Sequence, residues 1–219
     1  MAADFRVKKY QLDFSVGLNL TGRAKVYVDQ SELKSYRFTL YHGYKVKQVT
    51  DQTGAALDFR RELDYVTVTR GGAAVEYLCL EYTGKSPKYY SSYAGVCLPA
   101  NFAYYPIPGY RELFSDNFYG FIDCSLPYDT AFDVRCSGRK QMYCNLAARG
   151  DNHFAGNARS ITLLSGYYDT LKLNDTLVVY PKYADKEIRA RIKKNMGTFT
   201  KEHRDIRTIY HGHGQFDPV

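Results

Sequence analysis

The 219-residue sequence has no tryptophan, only three methionines, and no long apolar stretch. A bilayer-spanning helix needs about 20 consecutive apolar residues, so we expect no direct membrane insertion by this segment. Residues 1–10 lack the apolar core of a secretory signal peptide, so we expect none here. None of the five cysteines forms a C-x-x-C pair or has a histidine at zinc-finger spacing, which argues against structural zinc.

Recognisable catalytic motifs are also missing from the sequence. It contains no H-E-x-x-H, no G-x-S-x-G, no phosphate-binding loop and no dinucleotide-binding fingerprint. His42 and His153 have no identifiable partner, and we interpret Asp58 with Glu62 as a solvated carboxylate pair. His211-x-His213 could ligate a metal if the tail folded back, but we interpret residues 211–219 as a loose tail. The sequence therefore predicts no catalytic residue, no cofactor and no metal.

The sequence carries an excess of positive charge, and much of that excess lies in one segment. The formal net charge is +7 and the isoelectric point is near 9.0. Both signs are interleaved over most of the chain, and the one concentrated basic run spans residues 186–207. A nucleic-acid footprint should form a stripe across the fold, so we expect no nucleic-acid partner.

The cysteines Cys79, Cys97, Cys124, Cys136 and Cys144 leave two interpretations open. Most are predicted to be small buried hydrophobic side chains. Alternatively, two of the last three, which lie close in sequence, could bridge neighbouring strands. No histidine is next to any of them, so a cysteine nucleophile is not indicated.

Alternating polar and apolar residues predict many short strands. All even-numbered residues from Tyr10 to Leu20 are apolar, with polar residues or glycine between them, which predicts a half-buried strand. Thr21-Gly22 is predicted to turn this strand. Gly71-Gly72 is a hairpin signal between residues 65–69 and 75–82. Further strands are predicted at 36–41, 45–50, 117–125, 131–136, 142–146, 160–168 and 176–181. This spacing predicts an all-β fold, either an antiparallel β-sandwich or a strongly curved, saddle-like sheet.

The pattern changes near residue 183. Ile188, Ile192 and Phe199 recur at helical spacing within 185–206, and Asp185 can cap the start, so one C-terminal amphipathic helix is predicted. We accordingly divide the chain into a β domain at 1–182 and a basic helix and tail at 183–219. The second part is interpreted as the start of a following domain.

Twenty-two tyrosines form several clusters, among them Tyr104-Tyr105 and Tyr167-Tyr168. Exposed rings could stack on a sugar or a peptide, whereas buried rings would simply pack in the core. Residues 104–109, Tyr-Tyr-Pro-Ile-Pro-Gly, are the strongest candidate for a contact surface. Two prolines and a glycine would rigidify a loop that presents two aromatic rings.

Several segments together resemble a known family. They are residues 10–16 with 22–26, 36–40, 46–51 with Gly54, 103–106, 161–168 and 177–180. Their order resembles the N-terminal β domain of aminopeptidase N-type (gluzincin) zinc metallopeptidases over about the first 180 positions. The resemblance implies that residues 103–106 lie near a cleft, and that Tyr104, Tyr105 and Arg111 are cleft-facing binding residues.

The sequence departs from that family in ways that affect function. The zinc helix and the G-x-M-E-N substrate loop are absent, and residues 96–101 carry no glutamate or glutamine to grip a substrate amino terminus. Degenerate relatives occur as extracytoplasmic domains of bacterial ABC transporter permeases, which this chain resembles. That likeness implies an extracytoplasmic or cell-surface location.

We therefore expect a non-catalytic β-sandwich module of a larger peptidase-like protein, which walls a cleft or binds a peptide. Its partner would be the remainder of the parent chain, together with a peptide. The alternative is a free-standing carbohydrate- or surface-binding β domain that uses the tyrosine clusters. A small hydrolase with unrecognised geometry is the third hypothesis.

Overall fold

The computed structural model describes residues 5–92, 95–111, 124–173, 176–182, 186–202 and 208–210. Strands dominate this part of the chain. They are β1 (Val7–Val16), β2 (Leu20–Val28), β3 (Ser35–Thr39), β4 (Tyr44–Thr50), β5 (Phe59–Glu62), β6 (Tyr65–Thr69), β7 (Tyr77–Gly84), β8 (Ser91–Ser92), β9 (Gly95–Leu98), β10 (Ile107–Pro108), β11 (Thr130–Ser137), β12 (Gln141–Cys144), β13 (Ala147–Gly150), β14 (His153–Ala158), β15 (Leu163–Gly166), β16 (Tyr168–Leu173), β17 (Thr176–Pro181) and β18 (Thr208–Tyr210). One α-helix, α1 (Lys186–Glu202), follows β17.

The described strands form four sheets. A seven-stranded sheet has the order β13-β14-β11-β1-β2-β7-β4, and a four-stranded sheet has the order β10-β3-β6-β5. A second four-stranded sheet is ordered β12-β15-β9-β8, and a three-stranded sheet is ordered β16-β17-β18. Pairing is antiparallel except between β1 and β11 and between β17 and β18. The predicted all-β class with a C-terminal helix is confirmed.

The main core lies where the seven-stranded sheet packs against the β10-β3-β6-β5 sheet. In β1 the alternate residues Tyr10, Leu12 and Phe14 are buried, and the residues between them are exposed or half-buried. Such alternation is expected for a sheet with one face on the core and one face in solvent. The buried residues of both sheets belong to one continuous hydrophobic cluster, which gives the fold its two-layer character.

The first predicted turn is wrong by three residues. The chain reverses at residues 17–19, where Leu18 is 98% exposed, and β2 already includes Gly22. A Cβ added at Gly22 would collide with the ring of Tyr82, which covers this position from β7. Gly22 is therefore a site of close approach inside a strand and not a turn residue.

The hairpin predicted at Gly71-Gly72 is also wrong. Strand β6 pairs with β3 and β5, whereas β7 pairs with β2 and β4 in the seven-stranded sheet. The glycines lie in a segment that crosses from one layer to the other. A pair of glycines indicates a change in chain direction, but it does not determine which strand the next strand pairs with.

Strand β17 is covered on both faces. Val178 and Tyr180 share a small hydrophobic cluster with Ile192 of α1, and Val179 packs in another with Tyr168. A strand buried on both sides has a continuous apolar run instead of an alternating one. No helix in the described ranges is long and apolar enough to cross a membrane.

Some of the predicted features concern residues that the structure does not describe. Three predicted features lie outside the described residues: most of the strand 117–125, the helix cap Asp185, and the tail 211–219 with its two histidines. The predicted division at 182/183 stays a prediction. Within the described part, α1 contacts the β16-β17-β18 sheet and β18 pairs with β17.

Candidate functional site

The Tyr-Tyr-Pro-Ile-Pro-Gly segment lies inside the molecule. Tyr104 is 0% exposed and Tyr105 is 1% exposed, and both belong to the main hydrophobic cluster, together with Phe102, Ala103 and Ile107. The expectation that this segment presents two aromatic rings on its surface is therefore corrected. The prolines and tyrosines that suggested a rigid contact loop instead build a rigid core segment.

Tyrosine hydroxyl groups hold this irregular segment in place. The Tyr82 hydroxyl donates to the Tyr104 carbonyl oxygen at 2.8 Å, and the Tyr10 hydroxyl donates to the Pro106 carbonyl oxygen at 2.8 Å. The Tyr104 hydroxyl in turn donates to the Ile161 carbonyl oxygen at 2.9 Å. Buried carbonyl groups need hydrogen-bond partners, and here side chains from β1 and β7 supply them where no long strand does.

The aromatic rings of this segment also pack closely against their neighbours. Tyr105 lies edge-on against Tyr10, with ring centroids 5.4 Å apart, and edge-on against Phe132 at 6.0 Å. Burial raises the pKa of both Tyr10 and Tyr82 well above the ordinary tyrosine value. These hydroxyl groups therefore stay protonated and donate their hydrogen bonds over the whole physiological pH range.

Arg111 marks the end of this segment and is half-buried. Its backbone N–H donates to the Thr39 hydroxyl at 2.9 Å, and its carbonyl oxygen accepts from the Tyr65 hydroxyl at 3.1 Å. Its side-chain Nε is buried and has no hydrogen-bond partner among the described residues. The binding role of Tyr104, Tyr105 and Arg111 stays a prediction. Burial leaves the side chains of the two tyrosines without exposed surface for a ligand.

Two histidines have carboxylate partners that sequence reasoning missed. His42 Nδ1 lies 3.0 Å from Asp64 Oδ1, and the His42 backbone N–H donates to the same oxygen at 2.6 Å. His153 Nε2 lies 2.9 Å from Asp133 Oδ1. Both pairs join residues about 20 positions apart, which only strand pairing brings together, so no local motif could have revealed them.

The two pairs lie in different parts of the fold, one at the end of β3 and the other between β11 and β14. Within the described residues, no three His, Cys, Asp or Glu side chains are grouped so that they could hold a metal ion.

All five cysteines are free thiols, so the alternative of a bridge among the last three is not realised. Burial raises the pKa of Cys97 and Cys144 to about 11 and that of Cys136 to about 12. The thiolate is the nucleophilic form of cysteine, so these three side chains are poor nucleophiles at neutral pH.

A groove of about 540 Å³ lies beside β12 and β13. Its lining residues are Gln141, Met142, Tyr143, Cys144, Leu146, Ala148, Gly150, Asp151, Asn152, Phe154 and Leu177. This volume falls in the range of small-ligand pockets in proteins. The groove combines apolar side chains with a few polar groups.

The comparisons with known proteins bear on the fold alone. No family model matches the sequence, and no curated protein matches it. Solved structures do match. Leukotriene A4 hydrolase from Saccharomyces cerevisiae has a TM-score of 0.62 at 11% identity, over 95% of this chain and 38% of that one.

Two further solved structures show the same likeness. An M1 zinc metallopeptidase from Deinococcus radiodurans has a TM-score of 0.54 at 13% identity, over 85% of this chain and 49% of that one. An aminopeptidase N family protein from Idiomarina loihiensis has a TM-score of 0.60 at 9% identity, over 92% and 38% respectively. The chain thus spans less than half of each of these three structures. The likeness confirms the predicted aminopeptidase N-type β-domain fold.

Proposed function

We propose that this chain, which has the fold of the N-terminal β part of M1 metallopeptidases, is a non-catalytic module that walls one side of a cleft in a larger peptidase-like protein. The observation that carries the proposal is the coverage. Nearly all of the chain superposes on only 38% of the yeast leukotriene A4 hydrolase structure. A domain that occupies that part of a peptidase would contribute shape and contacts, while the reacting groups would come from elsewhere.

The chain's own residues support a non-catalytic role. The sequence contains no H-E-x-x-H. Its two histidine–carboxylate pairs lie in different parts of the fold. Raised thiol pKa values leave Cys97, Cys136 and Cys144 protonated. Nucleophilic catalysis of the triad type needs a nucleophile, a base and an orienting group within hydrogen-bond reach of one another.

Two more specific hypotheses about the function, a transporter domain and a carbohydrate-binding domain, have little support. Membrane anchoring as part of an ABC transporter permease, and the extracytoplasmic location it implies, find no support among the solved structures described above. The alternative of a carbohydrate-binding domain depended on exposed tyrosine clusters. Because Tyr104 and Tyr105 are buried, that alternative loses its main pair of rings.

An aminopeptidase assay tests the proposal. The purified chain is incubated with leucine and arginine 7-amido-4-methylcoumarin, with and without equimolar zinc, and we expect no release of coumarin above the buffer rate. Zinc-dependent release that co-elutes with the chain, and that is abolished by His42→Ala or His153→Ala, would contradict a non-catalytic role. These two variants are suitable because each removes one of the two histidine–carboxylate pairs.

A further inference from the structure

Helix α1 packs on the rest of the protein through one side. Ile192 is buried against β17, and Met196, about one turn further on, contacts the same hydrophobic cluster. Arg189 pairs with Asp169 of β16, with Nη2 and Oδ2 3.2 Å apart. These contacts fix the rotation of the helix about its own axis. The basic run that begins at residue 186 therefore has, within the helix, a defined inner side and a defined outer side.

The outer side carries a regular array of lysines. Residues four positions apart are neighbours on a helix surface, and residues seven apart lie almost in line along it. Two adjacent rows have the same composition, lysine–small residue–lysine: Lys186, Ala190 and Lys194 in one row, and Lys193, Gly197 and Lys201 in the other. The four lysines and Ala190 are exposed, and a Cβ added at Gly197 would point into open space. We call these six residues the lysine face.

The positive charge of the lysine face is not neutralised by the described part of the chain. No ion pair joins any of its four lysines to a described carboxylate. Exposed Arg191 adds a further cation beside the face, and Glu187 is the one acidic side chain of the helix that the structure describes. A partner with several closely spaced negative charges is therefore complementary to this face.

The composition of the lysine face distinguishes between kinds of polyanion. Protein–protein interfaces are enriched in aromatic residues and depleted in lysine, whereas this face has four lysines and no aromatic residue. A helix that lies on a membrane buries its apolar side there, but the apolar side of α1 packs on β17. Proteins that bind single-stranded nucleic acid stack its bases on aromatic rings, which this face lacks. The phosphate backbone of a duplex requires positive charge alone.

We propose that the lysine face binds the phosphate backbone of double-stranded DNA, independently of its sequence. Ala190 and Gly197 let a phosphate strand approach the middle of the face, and lysines on both sides contact its phosphates. This departs from the expectation of no nucleic-acid partner, which rests on the absence of a stripe of charge across the fold. Helix α1 supplies such a stripe because its packing on β17 aligns lysines from successive turns. The proposal is independent of the peptidase-like role.

Fluorescence polarisation with a labelled DNA duplex and the full 219-residue chain tests the proposal. The probe is a fluorescein-labelled duplex of mixed sequence, about two helical turns long. We expect a Kd on the order of 10⁻⁵ M at ~50 mM salt, and similar affinity for a duplex of shuffled sequence. Four lysines that release counterions from four phosphates predict a slope of about −3.6 for the logarithm of the association constant against the logarithm of salt concentration.

Two double variants with the same loss of charge locate the binding. Lys193→Gln with Lys194→Gln removes two contacts, so we expect a salt slope of about −1.8 and at least a ~10-fold loss of affinity at ~100 mM salt. Lys45→Gln with Lys47→Gln removes two exposed lysines from β4, and we expect the slope of the parent and an affinity within about twofold of it. Glutamine is a good helix former, and far-UV circular dichroism verifies that both proteins are folded.

A second pair of variants separates position from net charge. Ala190→Glu places a negative charge in the middle of the lysine face, and we expect at least a ~5-fold loss of affinity. Asn195→Glu adds the same charge at an exposed position on a different side of the helix. Salt screens charges over about 10 Å at 0.1 M ionic strength, so we expect this variant to bind within about twofold of the parent.

Several results would overturn the proposal. Absence of binding at the lowest salt concentration would reject DNA as a ligand, and equal losses in the two double variants would place binding elsewhere. Tighter binding to the single strand than to the duplex would reject a duplex partner. Heparin and phosphatidylserine vesicles serve as competitors, and stronger binding to either one that depends on Lys193 and Lys194 would assign the lysine face to a sulfated glycan or to a membrane surface.

Discussion

At the scale of single residues, tyrosine hydroxyl groups supply the hydrogen bonds to backbone carbonyl groups that strand pairing supplies elsewhere in the fold. The segment around Pro106 has little strand structure, yet its carbonyl groups are buried. Tyr82 and Tyr10 each donate to one of these carbonyl oxygens at 2.8 Å. A chain with 22 tyrosines and no tryptophan is well suited to this, because each phenol combines a large apolar ring with one donor.

Replacing Tyr82 by phenylalanine should therefore cost more than the loss of one oxygen atom suggests. The Tyr104 carbonyl would be left buried and unpaired, and we expect Tyr82→Phe to lower the free energy of unfolding by about 1–3 kcal/mol. Tyr27→Phe is the control, since the Tyr27 hydroxyl bonds Gln11 on the half-buried outer face, and we expect a change within about 0.5 kcal/mol. Urea unfolding followed by circular dichroism measures both. Equal effects would show that the buried hydrogen bond is not important.

At the scale of elements, the C-terminal helix depends on one small contact region. Its polar faces are strongly basic, and Ile192 is its one fully buried side chain among those described, at 3% exposure. Ile192 packs with Val178 and Tyr180 of β17, and Met196 contacts the same cluster. In proteins most of the stability of a helix comes from the packing of its apolar face. We therefore expect this contact to supply most of the stability of the 17-residue helix.

Truncation of that side chain should loosen the helix specifically. We expect Ile192→Ala to lower the local stability of residues 186–202 by about 2–4 kcal/mol, because it removes a buried side chain and leaves a cavity. Hydrogen exchange of the helix amides measures this effect, with Lys193→Ala as an exposed neighbouring control. Unchanged protection in Ile192→Ala would mean that the helix is held by other contacts.

At the scale of the whole molecule, several tyrosine hydroxyl groups and cysteine thiols have a pKa that burial raises. Burial raises the pKa of Tyr44 and Tyr105 well above the ordinary tyrosine value, as it does for Tyr10 and Tyr82. It also raises the pKa of Cys97 and Cys144 to about 11 and that of Cys136 to about 12. All of these groups are neutral in the folded protein and become charged more easily in the unfolded chain.

The fold should therefore be sensitive to alkaline pH. Above about pH 9 the unfolded chain releases protons that the folded chain retains, so the free energy of unfolding decreases as pH rises. Below pH 8 these groups add no pH dependence. We expect a loss of at least ~3 kcal/mol between pH 8 and about pH 10.5, since each fully displaced proton contributes about 1.4 kcal/mol per pH unit.

Urea unfolding at several pH values measures this dependence. Cys144→Ala should be less stable at pH 8, but its stability should fall less steeply with pH, because one thiol with a raised pKa is gone. Parallel curves for the two proteins, or no decrease for the parent, would contradict the prediction.

The sequence alone was enough for the fold class, most strands and the helix. The alternation in β1 and the apolar run of β17 state directly how many faces of each strand are buried, and that is a local property. It was also enough for the likeness to the aminopeptidase N-type β domain, which solved structures support at the level of fold.

Only the tertiary structure decided which strands are partners and which surfaces remain open. Gly71-Gly72 signalled a turn but not a crossing between layers, and Gly22 resembled a turn residue because its neighbour Tyr82 lies 60 positions away. The same holds for the site. Tyr104 and Tyr105 look the same in the sequence whether they are buried or exposed, and their burial results from packing against residues of distant strands. Periodicity is written in neighbouring residues, whereas pairing and burial depend on residues far apart in the chain, and no local pattern encodes them.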